Sequence, residues 1–422
     1  MNNGGRGQVK AQNGLIAALD VGSTKVCCFI ARVAAGKGAK IVGIGHQVSN
    51  GIRTGAIVDM DAAEACIRST VESAEKMAGE NIRRVIVNLS AGDPTSRLVA
   101  HDISIAGHQV GDADLRRILD PGTLSKERPG NRELVHSIAV GYSIDGCRGV
   151  RDPRGMFGER LGVNLHTVSA SAGAVRNLVT CISRCHLGVE TKVVSPYASA
   201  LACLVEDEKK LGVTCIDMGG GTTSIAVFFD GELVHIDSLP IGGVHVTNDI
   251  ARGLSTPLAH AERMKTLYGS VIPSPSDEHE LITAPPIGEK ISADTGQVPR
   301  SMLIGIIRPR LEETFEMVRA RLQEAGFEKV AVRRVVLTGG ASQLPGAGDL
   351  AAMILDKQVR IGRPKPMEGL AEAVGGPAFA TTAGLLIYAL NDLTDTPEGV
   401  YRPTEEPNGR FGRLGQWLRE NF

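Results

Sequence analysis

The feature that most constrains this chain is a turn it uses twice. From Val213 to Phe229 the sequence reads VTCIDMGGGTTSIAVFF: two β-rich apolar runs, an acid (Asp217) closing the first, and three glycines and two threonines between them. Two such runs joined by a glycine turn read as a β-hairpin. Glycines let backbone N–H groups approach an anion with no Cβ in the way, and threonine hydroxyls add donors. An acid beside bound phosphates is tolerable when a cation such as Mg²⁺ lies between them. One such turn alone is as readily a glycine hairpin with an ordinary surface aspartate. The second copy runs from Leu15 to Val33, LIAALDVGSTKVCCFIARV, where Asp20 is followed by Gly22, Ser23 and Thr24 and another apolar strand. Each copy continues into a third strand, Lys40–Val48 or Glu232–Leu239, and then a glycine-bearing turn. One unit in each half of a 422-residue chain predicts two similar domains facing each other across a cleft.

Composition narrows the class. Hydrophobic and charged shares of 42% and 22% are those of a soluble globular protein, and a net charge of −1 argues against a general nucleic-acid binder. The eight cysteines are scattered with no CxxC pair, which reads as buried thiols in a reducing compartment. The ten histidines show no HExxH or other ligand spacing, so a zinc site is not expected. Residues 1–13 are rich in Gly, Asn and Gln and read as a disordered arm rather than a signal peptide. No apolar run approaches the roughly 20 residues a spanning helix needs.

In order along the chain, Asp61–Gly79 predicts a helix with Asp61 at its cap, and Arg84–Leu89 a buried strand. Residues 92–163 break the α/β pattern: Arg97–Ile105 and Glu133–Ile144 read as strands, with a helix at Asp112–Leu119 and a Pro/Gly-rich loop. The pattern resumes at Asn164–Ser169, followed by a helix at Ala172–Cys185 and a strand at Thr191–Ser195. Tyr197–Glu206 and Gly376–Tyr388 read as helices whose small residues permit a close crossing. Glu262 and Lys265, three apart, share a helix face, which by spacing alone is an ordinary solvated pair. Leu303–Gly326 reads as a long helix, and Val335–Leu337 as a strand entering Gly339 and Gly340. From Asn391 to Asn408 acids and prolines predominate, as in a linker.

The stretches Asp20-Val-Gly-Ser-Thr-Lys25, Asp217-Met-Gly-Gly-Gly-Thr222, Pro240-Ile-Gly-Gly-Val-His-Val-Thr-Asn-Asp-Ile250 and Val336-Leu-Thr-Gly-Gly-Ala-Ser-Gln343, with the tail Trp417-Leu-Arg-Glu-Asn-Phe422, carry a family resemblance. The chain resembles the actin/Hsp70/sugar-kinase superfamily of ATP-binding proteins and, within it, the FtsA family of bacterial cell-division proteins. That resemblance implies an actin-like α/β fold: two facing α/β domains, each with a smaller subdomain, a nucleotide cleft between them, and an amphipathic C-terminal helix on a flexible linker. The implied parts are 14–91 with 164–206 for the first domain and 92–163 for an inserted interaction subdomain. The second domain comprises 207–243 with 303–390, its subdomain 244–302, and the linker 391–409.

By the same resemblance ATP would lie with its phosphates on Gly22, Ser23, Thr24, Gly219, Gly220, Gly221, Thr222 and Thr223, with Lys25 adding a contact. Asp20 and Asp217 would hold Mg²⁺ through its waters. Glu262, Lys265, Gly339, Gly340 and Ser342 would take the nucleoside end, and Gly242, Gly243 and Asn248 complete the set. Lys192–Leu204 lacks the Gln or Glu with which actin-like ATPases orient water, so ATP turnover is expected to be weak or absent. The implied role is to tether the ring of the tubulin-like protein FtsZ to the cytoplasmic face of the inner membrane and to help assemble the septal machinery. Implied partners are the FtsZ C-terminal tail (at Arg300 and Arg310), further copies in filaments, and other division proteins at the 92–163 subdomain, but no nucleic acid. A small-molecule kinase of the superfamily is the alternative, and it would need a catalytic base and a polar substrate pocket. A chaperone ATPase would need a peptide-binding domain, for which too little chain follows Tyr388.

The last thirteen residues, Arg410–Phe422, carry their own signal. At 100° per residue Phe411, Leu414, Leu418 and Phe422 share one arc flanked by Trp417, with Arg413, Gln416, Arg419 and Glu420 opposite. A helix of this pattern lies in a membrane interface, and at about 20 Å it is too short to span.

Overall fold

The computed structural model describes residues 14–34, 38–120, 130–288, 296–327 and 333–395. The duplicated hairpins seed two five-stranded sheets built to one plan. In the first, Leu15–Val21 pairs antiparallel with Lys25–Ala34, which pairs antiparallel with Gly38–Val48. On its other side Leu15–Val21 pairs parallel with Arg84–Leu89, and that strand with Gly188–Val194. In the second, Val213–Met218 pairs antiparallel with Thr223–Phe229 and that with Glu232–Leu239. Its other side carries Arg334–Thr338 and then Gln358–Ile361, both parallel. The two sheets therefore match strand for strand. The central strands are buried on both faces and are near-continuous apolar runs, as parallel pairing under helices requires.

The first sheet is covered by helix Met60–Ala78. Its N-cap is Asp59, whose carboxylate accepts from the Asp61 and Ala62 N–H groups, so Asp61 sits inside the first turn rather than at the cap. Helices Ser195–Cys203 and Ala380–Asp395 cross between the lobes. The crossing depends on Gly384: a Cβ there would run into the Ala198 carbonyl oxygen. The second helix continues five residues beyond the expected start of the linker at 391.

The insertion is a four-stranded antiparallel sheet in the order Thr95–Ser104, Arg160–Ser171, Arg132–Ile144, Cys147–Val150. One face buries Leu161, Val163 and Leu165 with Leu115 and Ile118 of helix Asp112–Ile118, a small core of its own. The expected boundary at 163 is corrected: Arg160–Ser171 is one continuous strand, and Asn164–Ser169 pairs within the insertion on both sides. Alternation there marks a strand but cannot say which sheet it joins. Arg132 fastens the two ends of the insertion, donating to the Asp93 and Ser169 carbonyls and to the Thr95 hydroxyl.

The second small subdomain has helices Gly243–Gly253 and Leu258–Tyr268 and the hairpin Leu281–Thr283/Gln297–Pro299. Its buried residues, among them Ile250, Ala261 and Ile282, belong to the main core. Helix Arg300–Glu324 ties it to the second lobe. Of the cysteines, Cys147 is exposed, against the expectation of uniform burial. No helix among the described residues is long and apolar enough to cross a membrane. The expected amphipathic tail, with Phe411, Leu414, Trp417, Leu418 and Phe422, lies outside the described residues.

Candidate functional site

The two glycine hairpins meet at one cleft. Its walls carry Asp20, Gly22, Ser23, Thr24 and Lys25 from the first lobe and Asp217 with Gly219, Gly220, Gly221 and Thr222 from the second. Gly339 and Gly340 close a further side. The hairpins approach so closely that a Cβ on Gly220 would overlap the Thr24 side chain, and one on Gly221 the Ser23 side chain. Glycine is thus required here by the opposing loop as well as by any anion. Gly339, at φ +85, passes over Asp217, whose carboxylate a side chain at that position would strike.

Both acids end a central strand and are buried at 7% exposure. Asp217 accepts hydrogen bonds from the Ser199 hydroxyl at 2.5 Å and the Thr381 hydroxyl at 3.2 Å, one from each crossing helix. Asp20 accepts from Thr382 at 3.4 Å. Burial pushes the Asp20 carboxyl up to about 6; Lys25 opposes this, and the negative charge of Asp217 adds to it. Burial raises Asp217 as well, against its two hydroxyl donors and Lys25. Two carboxylates held close in a dry floor repel each other unless a cation joins them. Lys25 only partly meets that need. Its ammonium donates to the Ala378 carbonyl and lies 3.6 Å from the centre of the Phe379 ring, so it rests on the start of the second crossing helix. Among the described residues no group of three or more His, Cys, Asp or Glu gathers as a metal cage. The acid pair accordingly suits a hard cation that keeps most of its waters.

Other expected residues fall into three groups. Glu262 and Lys265 form an ion pair at 2.6 Å, and Lys265 also donates to the Gly243 carbonyl and the Thr247 hydroxyl. A Cβ on Gly243 would lie 3.4 Å from Ala341, so this cluster adjoins the Gly339–Gly340 turn without lining the cleft itself. Gly242 and Asn248 do not line it either. Thr223 and Ser342 turn inward: each is buried and donates locally, to the Ile241 and Gly339 carbonyls. Their hydroxyls are engaged within the fold.

Arg300 and Arg310 are engaged within the chain. Arg300 pairs with Asp277 at 2.7 Å and donates to the Tyr268 carbonyl, while Arg310 pairs with Asp249 and Glu313. The cleft also contains residues that sequence reasoning missed: Asn88, Ser90 and Ser195. Asn88 accepts from the Val21 N–H at 2.7 Å and donates to the Ser195 hydroxyl at 3.1 Å, and the Ser90 and Ser195 hydroxyls are 2.6 Å apart. Single polar residues inside or at the end of apolar strands were the only available signal.

The profile described as "Cell division protein FtsA" matches residues 214–384, and "SHS2 domain inserted in FTSA" matches 92–169, the insertion. Among solved structures the fold resembles the PilM–PilN type IV pilus biogenesis complex, with TM-score 0.63 at 16% identity over 89% of this chain and 98% of that one. It also resembles MreB5 of Spiroplasma citri bound to ADP (0.52, 13%, 90% and 97%) and the MamK double helical filament (0.51, 12%, 89% and 98%). These neighbours establish an actin-like fold. Curated relatives called "Cell division protein FtsA" are 46% identical in Rhizobium meliloti and 45% in Agrobacterium fabrum, each alignment covering 97% of this chain and 95% of the relative. The Escherichia coli relative is 30% identical, over 97% and 98%. With both profiles placed on the expected parts of an actin-like fold, and relatives aligned over nearly their whole length, the chain belongs to the FtsA family of cell-division proteins.

Proposed function

We propose that this FtsA-type division protein binds ATP with Mg²⁺ in the interlobe cleft and tethers a ring of the tubulin-like protein FtsZ to the cytoplasmic face of the inner membrane. One observation carries the nucleotide reading: two independent glycine–hydroxyl hairpins bring Asp20 and Asp217 together on one buried floor. The glycine backbones and the hydroxyls of Ser23, Thr24 and Thr222 would receive the phosphates. Asp20 and Asp217 would hold Mg²⁺ through water, and Glu262 and Lys265 beside Gly243 would meet the nucleoside end. Bound Mg²⁺ supplies the positive charge that lets phosphates and two carboxylates share a dry site.

Among the described residues, the cleft lining contains no Glu, Gln or His to orient an attacking water. The nucleotide therefore acts as a conformational and assembly ligand rather than a fuel, with turnover weak or absent. Copies of the chain self-associate, and their Arg410–Phe422 tails bind lipid together, since one short helix adheres weakly and many adhere by avidity. The FtsZ tail peptide docks on the second small subdomain beside helix Arg300–Glu324, near Arg310, and other division proteins dock on the insertion. The test is co-sedimentation of the full chain with anionic vesicles, with and without ATP and Mg²⁺, beside Asp217→Ala and a chain lacking 410–422. The reading requires ATP-enhanced sedimentation of the wild type, no enhancement for Asp217→Ala, and loss of sedimentation for the truncation with ATP binding retained. Sedimentation of the truncated chain at the wild-type level would refute the tether.

A further inference from the structure

One part of the insertion's second face is covered by the rest of the molecule, while Leu98, Ala100 and Asn164 on the same face stay exposed. In the antiparallel register Ser96 stands opposite Val168, and Val168 opposite His136, so these three residues form a row across three strands. The row lies on the face opposite the insertion's own core, and its middle member Val168 belongs to the main core.

Each end of the row holds a different part of the molecule. At one end the Ser96 hydroxyl accepts from the Ile236 N–H at 2.8 Å and donates to the Ile236 carbonyl at 3.1 Å. Ile236 lies in Glu232–Leu239, the edge strand of the second lobe, so one side chain satisfies both backbone groups of an otherwise open edge. Arg151 adds an exposed pair to Asp230 at 3.2 Å, in the turn before that strand. At the other end Nε2 of His136 accepts from the Val194 N–H at 3.1 Å, at the entry to the first crossing helix. The His136 ring meets Tyr197 of that helix edge-on, with centroids 5.6 Å apart, and tilts against Tyr388 of the second at 6.1 Å. Tyr197 in turn meets Phe228 of the second lobe at 6.3 Å.

We propose that the insertion is an interlobe brace, in which the Ser96–Val168–His136 row links the edge of the second lobe to both crossing helices and so sets the angle between the lobes. The physical reason is geometric. Rotation of the second lobe about the crossing helices moves Ile236 relative to Val194. A rigid row attached to both must then either release Ser96 from Ile236 or turn with the lobe. Packed interfaces of this kind hold discrete arrangements rather than deforming smoothly. The position of the insertion and the opening of the cleft become one coordinate, so anything that binds the insertion in only one arrangement shifts the lobes. The brace does not depend on the nature of the cleft ligand.

Its test uses the full chain without nucleotide. Spin labels carried on non-natural residues at Met77 and Met353, exposed positions on the first and second lobes, report the interlobe distance by double electron–electron resonance. Ser96→Ala removes both bonds to Ile236 at the cost of one oxygen, and Ser96→Thr keeps the hydroxyl. The brace requires a broadened distance distribution with a longer component in Ser96→Ala and a wild-type distribution in Ser96→Thr. His136→Phe, which keeps a ring and loses the acceptor for Val194, gives the same broadening from the other end. A wild-type distribution in both Ser96→Ala and His136→Phe overturns the proposal, as does equal broadening in Ser96→Thr and Ser96→Ala.

Discussion

Asp20→Asn offers a quantitative test of the cleft floor. The Asp20 carboxyl is raised from 3.8 to about 6 in the fold, chiefly by burial. Its folded value lies above its unfolded value, so folding favours the protonated form. Below pH 3.8 both states are protonated and the group costs nothing. Through the window from 3.8 to about 6 the cost grows, and above it the cost is complete. A shift of that size corresponds to about 3 kcal/mol. Asparagine cannot ionise, has nearly the same shape, and still offers an oxygen to Thr382. Asp20→Asn should therefore stabilise the ligand-free, Mg²⁺-free protein by about 3 kcal/mol at pH 7 and by only about 0.5 kcal/mol at pH 4. Urea unfolding of both proteins at several pH values between these limits measures the difference directly, because pH effects common to both cancel. The same variant should lose the Mg²⁺-dependent part of ATP binding, placing stability and function in opposition at one atom. A gain that is absent at pH 7, or that is as large at pH 4 as at pH 7, would refute the argument that an uncompensated buried charge is what this position contributes.

Two further substitutions probe how the parts are held. Gly384→Ala places a methyl group against the Ala198 carbonyl where the crossing helices touch, and should cost about 3 kcal/mol or more. A urea midpoint equal to that of the wild type would show that the helices can separate at little cost. Arg300→Met leaves Asp277, whose side chain is only 2% exposed, buried without its cation, and should cost about 3–5 kcal/mol within the second small subdomain. Hydrogen exchange should quicken at Leu281–Thr283 and Gln297–Pro299, and unchanged protection there would mean that Arg300 is not the residue that holds the hairpin.

What could be read from the sequence follows from the range of the interactions involved. The two hairpins are local: an acid, a glycine turn and hydroxyls within ten residues specify both the strands and their chemistry, and the pairing of Asp217 with Ser224 and of Asp20 with Cys27 sits where the pattern requires. Repetition of that local unit was enough to anticipate two matched sheets and a cleft. Asn88 and Ser195 were not legible, because the bond between them joins positions 107 apart and each is one polar residue at an apolar strand. The same limit explains Thr223 and Ser342. Their residue types fit contacts to phosphate and nucleoside, but which way a hydroxyl points depends on the Ile241 and Gly339 carbonyls that capture it.

The boundary of the insertion shows the limit most clearly. Asn164–Ser169 has the alternation of a strand, and alternation reports two faces without naming the sheets that cover them. Here one face closes the insertion's own core, while the other turns Val168, Ser96 and His136 toward the rest of the molecule. A subdomain whose second face is covered along the Ser96–Val168–His136 row cannot be a passive appendage, since separating it from the lobes would expose that row and leave the Ile236 backbone groups unpaired. The strand that sequence divided between two domains is thus the one through which they are joined.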